Sequence, residues 1–192
     1  MKISECQVLL SAGLDKTRST VPTGTALGSI AAGELEMVSA YLSDGTGFSS
    51  SGDPVNALAS FYYAFGWLHF GCAYGVLITD RKEPPCPFLD PCERLPASVL
   101  AKLNEKATRY ERLLNTARQS VTCVSDPSTP AYRIAASTIQ IAETYAIRGR
   151  WLLGESRQED ALAGFSYGHG WLDAGVRAGL FTVIAERDLF TI

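Results

Sequence analysis

ALAGFSYGHGWLDAGVRAGLF, residues 161–181, reads as one helix and decides the fold, because a diverged copy, ALASFYYAFGWLHFGCAYGVL, stands 104 positions earlier at 57–77. The same ungapped offset places Leu9 and Leu10 on Leu113 and Leu114, Thr25 on Thr129, Ile30–Ala32 on Ile134–Ala136, Tyr41 on Tyr145 and Gly45 on Gly149. A period of this length is too long for a solenoid unit and describes two domain-sized copies. Within the anchor helix, Ala161, Phe165, Gly168, Leu172, Gly175, Val176 and Gly179 share one face at helical spacing. A glycine inside a helix costs about 1 kcal/mol relative to alanine. Close approach of a neighbouring helix at the Gly71/Gly75 and Gly175/Gly179 notches is the expected compensation, with Trp67 and Trp171 covering apolar area beside them.

Read outward from the two anchors, each copy has three helices. In the first, an initial helix at 4–18 carries Val8, Leu9, Ala12 and Leu14, and a second at 26–44 is capped by Thr25. The Gly/Ser stretch DGTGFSSSGDP at 44–54 reads as a loop. It lacks the Lys-Ser/Thr of a phosphate-binding loop. Asp53 and Pro54 form an N-cap and first-turn pair opening the third helix at 54–78. In the second copy, Leu100, Leu103, Ala107, Tyr110, Leu114, Ala117 and Val121 alternate spacings of three and four, the seam of a bundle helix, with Glu105–Arg109 as an i,i+4 pair. A fifth helix spans 130–153. Ser156 with Glu159 reads as a capping box for the sixth, at 157–180. The apolar tail, TVIAERDLFTI, is expected to dock on the bundle.

The expected fold is therefore all-α: two tandem three-helix up-and-down bundles, six main helices in all, at 1–80 and 97–192, joined by a Pro-rich linker at 81–96. The linker is expected to be extended and stiff. Its CPFLDPC segment spaces Cys86 and Cys92 too widely for the usual zinc pair and has no His in register. Solvent-accessible thiols are the reading, with a disulfide or a metal as alternatives. No run of roughly 20 apolar residues reads as a membrane span. The net charge of −3 carries no basic run, so neither nucleic acid nor an anionic membrane is an expected partner. MKISECQVLLSAG has no long apolar signal region, and a cytoplasmic protein is the default expectation.

With these residues in hand, YGHGWLDAGVRAGLF (167–181), the Ala- and Tyr-rich helix before it and the DLFTI ending resemble the archaeal domain-of-unknown-function family 357. The resemblance covers 97–192 well and reaches 1–78 through the internal repeat. It implies a long three-helix, left-handed up-and-down bundle and an archaeal source, and it supplies no activity and no catalytic residues.

One polar constellation stands out. His169, Asp173 and Arg177 are spaced i, i+4, i+8 along one edge of the sixth helix, and Asp173 can accept from both neighbours. The first copy has Phe65, His69 and Ala73 at these positions, so the set occurs once. It reads either as a boundary ladder fixing helix packing or as a ligand or partner site. Tyr63, Trp67, Tyr167 and Trp171 can line a pocket at the junction of the copies, although aromatic residues at helical spacing are more often core. No catalytic set, metal site or cofactor is read. The Arg-x4–6-His motif of helical nucleotide-binding nucleases is absent, since neither His69 nor His169 has an Arg at that distance before it. An interaction or scaffold module acting on another protein or on itself is the first functional expectation. A small-ligand binder at the aromatic junction, using His169, Asp173 and Arg177, is the alternative. A single copy is expected to pair as a homodimer, which the tandem chain then mimics covalently.

Overall fold

The computed structural model describes residues 1–80, 87, 88 and 90–191. The first copy consists of α1 (Ile3–Asp15), β1 (Thr17–Ser19), α2 (Ala26–Ser50), α3 (Pro54–Tyr74) and β2 (Leu77–Thr79). The second repeats it as α4 (Leu100–Gln119), β3 (Val121–Cys123), α5 (Pro130–Gly154), α6 (Gln158–Arg177) and β4 (Phe181–Val183). The offset of the sequence repeat holds for the short strands as well as the helices. The architecture is all-α, with six main helices in two up-down-up sets, as the repeat predicts.

Local chemistry sets most boundaries. The Thr25 and Thr129 side chains accept from the N–H groups of Gly28 and Tyr132, and Asp53 accepts from that of Asn56, so three helix starts are capped as expected. The sixth is not: Ser156 lies at φ 56°, and Glu159 turns away from the helix start to other partners. At the other end, Gly75 and Gly179 adopt φ values of 86° and 77°, closing α3 and α6 in left-handed C-caps several residues before the predicted ends. The chain then turns into β2 or β4. Each pairs antiparallel with the strand after the first helix of its own copy, Thr17 opposite Thr79 and Val121 opposite Val183. These three-residue straps tie the first and third helices together at one end of each bundle.

Three other expectations are corrected. The Gly/Ser stretch at 44–50 is helix: α2 runs on to Ser50, because Gly45 lies under the Phe61 ring, where a Cβ would stand 2.5 Å from it, as Gly149 lies under Phe165 in the second copy. Gly71 and Gly175 are filled from within their own copies by Leu77 and Phe181. The close crossing of the copies falls instead at Gly66 and Gly170. A Cβ on Gly66 would stand 2.5 Å from the Tyr167 carbonyl oxygen and 3.0 Å from the Gly170 Cα, and one on Gly170 would collide with the Tyr63 carbonyl. Only glycine lets the two backbones touch. In α1 the inward positions are Cys6, Leu10 and Gly13, while Val8 faces solvent.

α3 and α6 therefore form the centre, each sheathed by the other two helices of its copy and by one another. The apolar core is continuous across both copies. Phe61, Phe65, Trp67 and Phe70 of α3 and Phe165 and Leu172 of α6 are fully buried, each worth about 2–3 kcal/mol of transfer free energy.

Candidate functional site

At the α3–α6 crossing the two anchor helices exchange equivalent contacts. The Tyr63 hydroxyl donates to Asp173, and Tyr167 shares a 2.7 Å hydrogen bond with Nδ1 of His69. Positions 63 and 167 are equivalent in the repeat, and so are 69 and 173. Each copy thus offers a tyrosine to the other, and the position it meets has diverged to histidine on one side and aspartate on the other. A second tyrosine stacks on each, Tyr41 on Tyr63 with ring centroids 4.4 Å apart and Tyr145 on Tyr167 at 4.5 Å.

His169, Asp173 and Arg177 do not form the predicted ladder, because each faces a different neighbour. Asp173 is fully buried. Besides Tyr63 it accepts from the Thr191 N–H at 3.0 Å and the Thr191 hydroxyl at 2.7 Å, not from His169 or Arg177. His169 Nε2 lies 3.1 Å from the Leu189 carbonyl, to which it donates. Burial pulls its pKa below the usual value, with the nearby Asp173 pulling back, so the imidazole is neutral at pH 7. Arg177 lies over Gly33 and pairs with Glu36 at 3.0 Å on the surface. The C-terminal turn is thus held by the first two residues of the set, and Phe190 is buried beside His169.

A group missed in the sequence completes the cluster. Glu34 of α2 is 1% exposed, and its Oε2 has no hydrogen-bond partner among the described residues. Burial pushes its pKa up to about 9; Arg177 opposes the rise and Asp173 adds to it. At neutral pH it is a protonated acid. The equivalent residue, Thr138, satisfies its hydroxyl on the Ile134 carbonyl. Glu34 lies on the inward stripe of α2, between Ile30 and Val38, and that pattern was the available signal.

Beside Tyr63 a half-open cleft of about 240 Å³ runs between α3 and α4, lined by Tyr41, Ser60, Tyr63, Tyr110, His169 and Phe190. Trp67 is core rather than lining. Trp171 lines a separate apolar cleft of about 370 Å³ with Phe70 and Ile134. Asp188 also borders this cleft; outside its lining, next to Tyr110 on α4, Lys106 has its Nζ 5.1 Å from the Tyr110 ring and hydrogen-bonds the neutral Asn56 amide. Lys106 is 8% exposed, and its pKa is lowered by burial first and by Arg109 next.

The equivalent cleft, between α6 and α1, is filled. There the ring of Phe88 packs against Tyr145 and Tyr167, with centroids 5.0 Å away in each case, and Tyr62 donates to the Pro87 carbonyl at 2.8 Å. Asp160 and Glu159 accept the N–H groups of Cys92 (2.7 Å) and Leu95 (2.9 Å), and Glu159 pairs with Arg94. Glu93 accepts the N–H of Ile3 at 2.7 Å. Cys92 is buried, correcting the expectation of an accessible thiol, and burial raises its pKa to about 12. Cys86 lies outside the described residues. Among those residues, no three of His, Cys, Asp and Glu come together as a metal would require, and no helix is long and apolar enough to cross a membrane.

No curated protein and no solved structure matches the chain. One family does, described as "Protein of unknown function (DUF357)", over residues 7–77 and again over 109–181. The two matches fall on the two structural copies, and between them they span most of the sequence: the chain belongs to this family and carries its domain twice.

Proposed function

We propose that the protein is a non-catalytic interaction module that binds a partner in the cleft between α3 and α4. The observation that carries this reading is the unequal use of two equivalent clefts. One receives residues 87, 88 and 90–95 of the chain itself, with an aromatic ring seated on a tyrosine pair. The other presents the same tyrosine pair, covered at one end by the C-terminal turn and open below it. A second asymmetry points the same way. On the outer face of α5, Ile147 and Trp151 are 61% and 59% exposed one turn apart, where the first copy has Ser43 and Gly47. The fold does not ask for those side chains, and exposed tryptophan is characteristic of contact surfaces.

The alternative, a small-molecule binder, draws on the same cleft. Its phenols and the neutral imidazole of His169 suit a small polar aromatic, although about 240 Å³ is below the usual range for such pockets. Native mass spectrometry of the protein captured from its own source, beside a Ser60→Phe variant that fills the cleft wall, separates the readings. A macromolecular mass present on the wild type and lost from an equally stable Ser60→Phe supports the interaction module. A small added mass lost in the same way supports the ligand binder. A partner retained by Ser60→Phe refutes binding at this cleft.

A further inference from the structure

We infer that the occupant of the α3–α4 cleft is an extended acidic segment of a partner protein, with an aromatic anchor followed about one helical turn later by carboxylates. This rests on the interaction reading and names the chemistry of the partner.

The chain supplies its own template. In the filled cleft the anchor is Phe88, set between Tyr62, Tyr145 and Tyr167. The chain then runs along the start of α6, where the N–H groups of Cys92 and Leu95 are captured. The backbone there is extended, so the helices hold it through side chains reaching its N–H groups. Transferred by the repeat, the anchor position lies against Tyr41 and Tyr63, with Ser60 in place of Gly164 and Tyr110 in place of Cys6. The following residues would pass the start of α3 and the first half of α4.

The acids of the filled cleft are lost along that path. Where the filled cleft has Asp160, the open one has Asn56, and Glu159 is replaced by Val55. α4 brings Lys102, Lys106 and Arg109; Arg109 stands where the first copy has Glu5, and Lys106 keeps the position of Lys2. Lys102 is matched by Asp53 at 2.6 Å and Arg109 by Glu105 at 3.6 Å. Lys106, the most buried of the three, rests on the neutral amide of Asn56; Arg109 and Lys102 are like charges near it, and the nearby carboxylates, Asp53 and Glu105, are already paired with Lys102 and Arg109. A buried cation with no carboxylate bonded to it is costly, and a charge-assisted bond to an incoming carboxylate lowers that cost. A basic segment would add like charge at the same point. The cleft therefore selects against the composition of the segment filling its twin, where Arg94 pairs with Glu159.

The test uses the full chain and three fluorescein-labelled peptides read by fluorescence anisotropy. PFLDPEEEL keeps the anchor and places acids after it, PFLDPKKKL reverses the charge, and PALDPEEEL removes the anchor. The acidic peptide is expected to bind, to weaken as salt is raised, and to lose about tenfold or more in affinity on either change. It should lose as much against Lys106→Glu, and against Arg109→Glu, a surface change that keeps the fold should Lys106→Glu fail to. Equal binding of the basic peptide, or acidic binding untouched by Arg109→Glu and Ser60→Phe, overturns the inference. If no peptide binds while Ser60→Phe still strips a co-purifying protein, this partner chemistry is wrong and the interaction reading stands. If Ser60→Phe also changes nothing, both fall.

Discussion

Replacing Glu34 by Gln tests whether a neutral carboxylic acid is built into the junction. The side chain is buried, one oxygen lacks a partner among the described residues, and the pKa rises from 4.5 to about 9. Below pH 4.5 the folded and unfolded chains both hold this proton. Between pH 4.5 and about 9 only the folded chain holds it, so stability falls as pH rises, by about 1.4 kcal/mol per unit from this one group. From 4.5 to pH 7 the loss comes to about 3 kcal/mol, an order-of-magnitude figure. Glutamine has the same shape and does not titrate, so Glu34→Gln should escape that loss.

Urea unfolding followed by circular dichroism at several pH values between 5 and 8 gives the comparison. All other groups titrate alike in both proteins, so the difference in unfolding free energy isolates residue 34. It should move in favour of Gln by about 1.4 kcal/mol per pH unit across the window. Arg177→Gln removes the charge that favours the ionised form and should extend the slope to higher pH. A difference that stays flat with pH would refute the reasoning, because Glu34 would then be ionised in the folded protein, held so by Arg177.

Two further outcomes follow from the packing. Gly170→Ala drives a methyl group into the Tyr63 carbonyl, which is backbone and cannot rotate away; about 1–3 kcal/mol of destabilisation is expected by chemical denaturation, while Gly179→Ala, which meets no atoms, should act only through its positive φ and cost less. Cys92, with its thiol pushed up to about 12 and buried against Tyr62, should alkylate with iodoacetamide at pH 8 far more slowly than the partly exposed Cys123, as read by peptide mapping; equal rates would place Cys92 at the surface.

The helices were legible because the repeat doubles each signal: a Thr cap at 25 recurs at 129, and an inward Tyr at 41 recurs at 145. The strands were not, since three residues are too few for an alternating pattern to show, and their partners lie some sixty positions away. Gly45 misled for a related reason. A glycine among serines has the composition of a loop, and only the ring of Phe61 above it explains a helix there. Within the site, Asp173 and Tyr63 were both singled out, but not as partners, because their contact joins different copies. Glu34 was hidden by its type: a carboxylate is read as solvent-facing even on an inward stripe, and the charges that act on it, Arg177 and Asp173, come from α6 in the other copy.

The value of the duplication lies in what a covalent link permits. Two identical copies paired about a twofold axis have two identical junctions, so a change at one is a change at both. In the tandem chain the partner of the crossing tyrosine is His69 on one side and Asp173 on the other. The acids that clasp residues 92–95 at one cleft are Asn56 and Val55 at its twin. What both copies keep, the Gly66–Gly170 contact, the tyrosine pairs and the glycine notches, is what the crossing needs sterically. Differences run through the whole sequence, the core included, where Phe70 stands opposite Ala174 and Leu77 opposite Phe181; among them are the cleft positions, the buried pair Glu34 and Thr138, and the outer face of α5. Loss of the clasping acids at one cleft, beside a buried lysine that rests on a neutral amide, is what the binding proposal expects if one junction is kept for structure and the other is released.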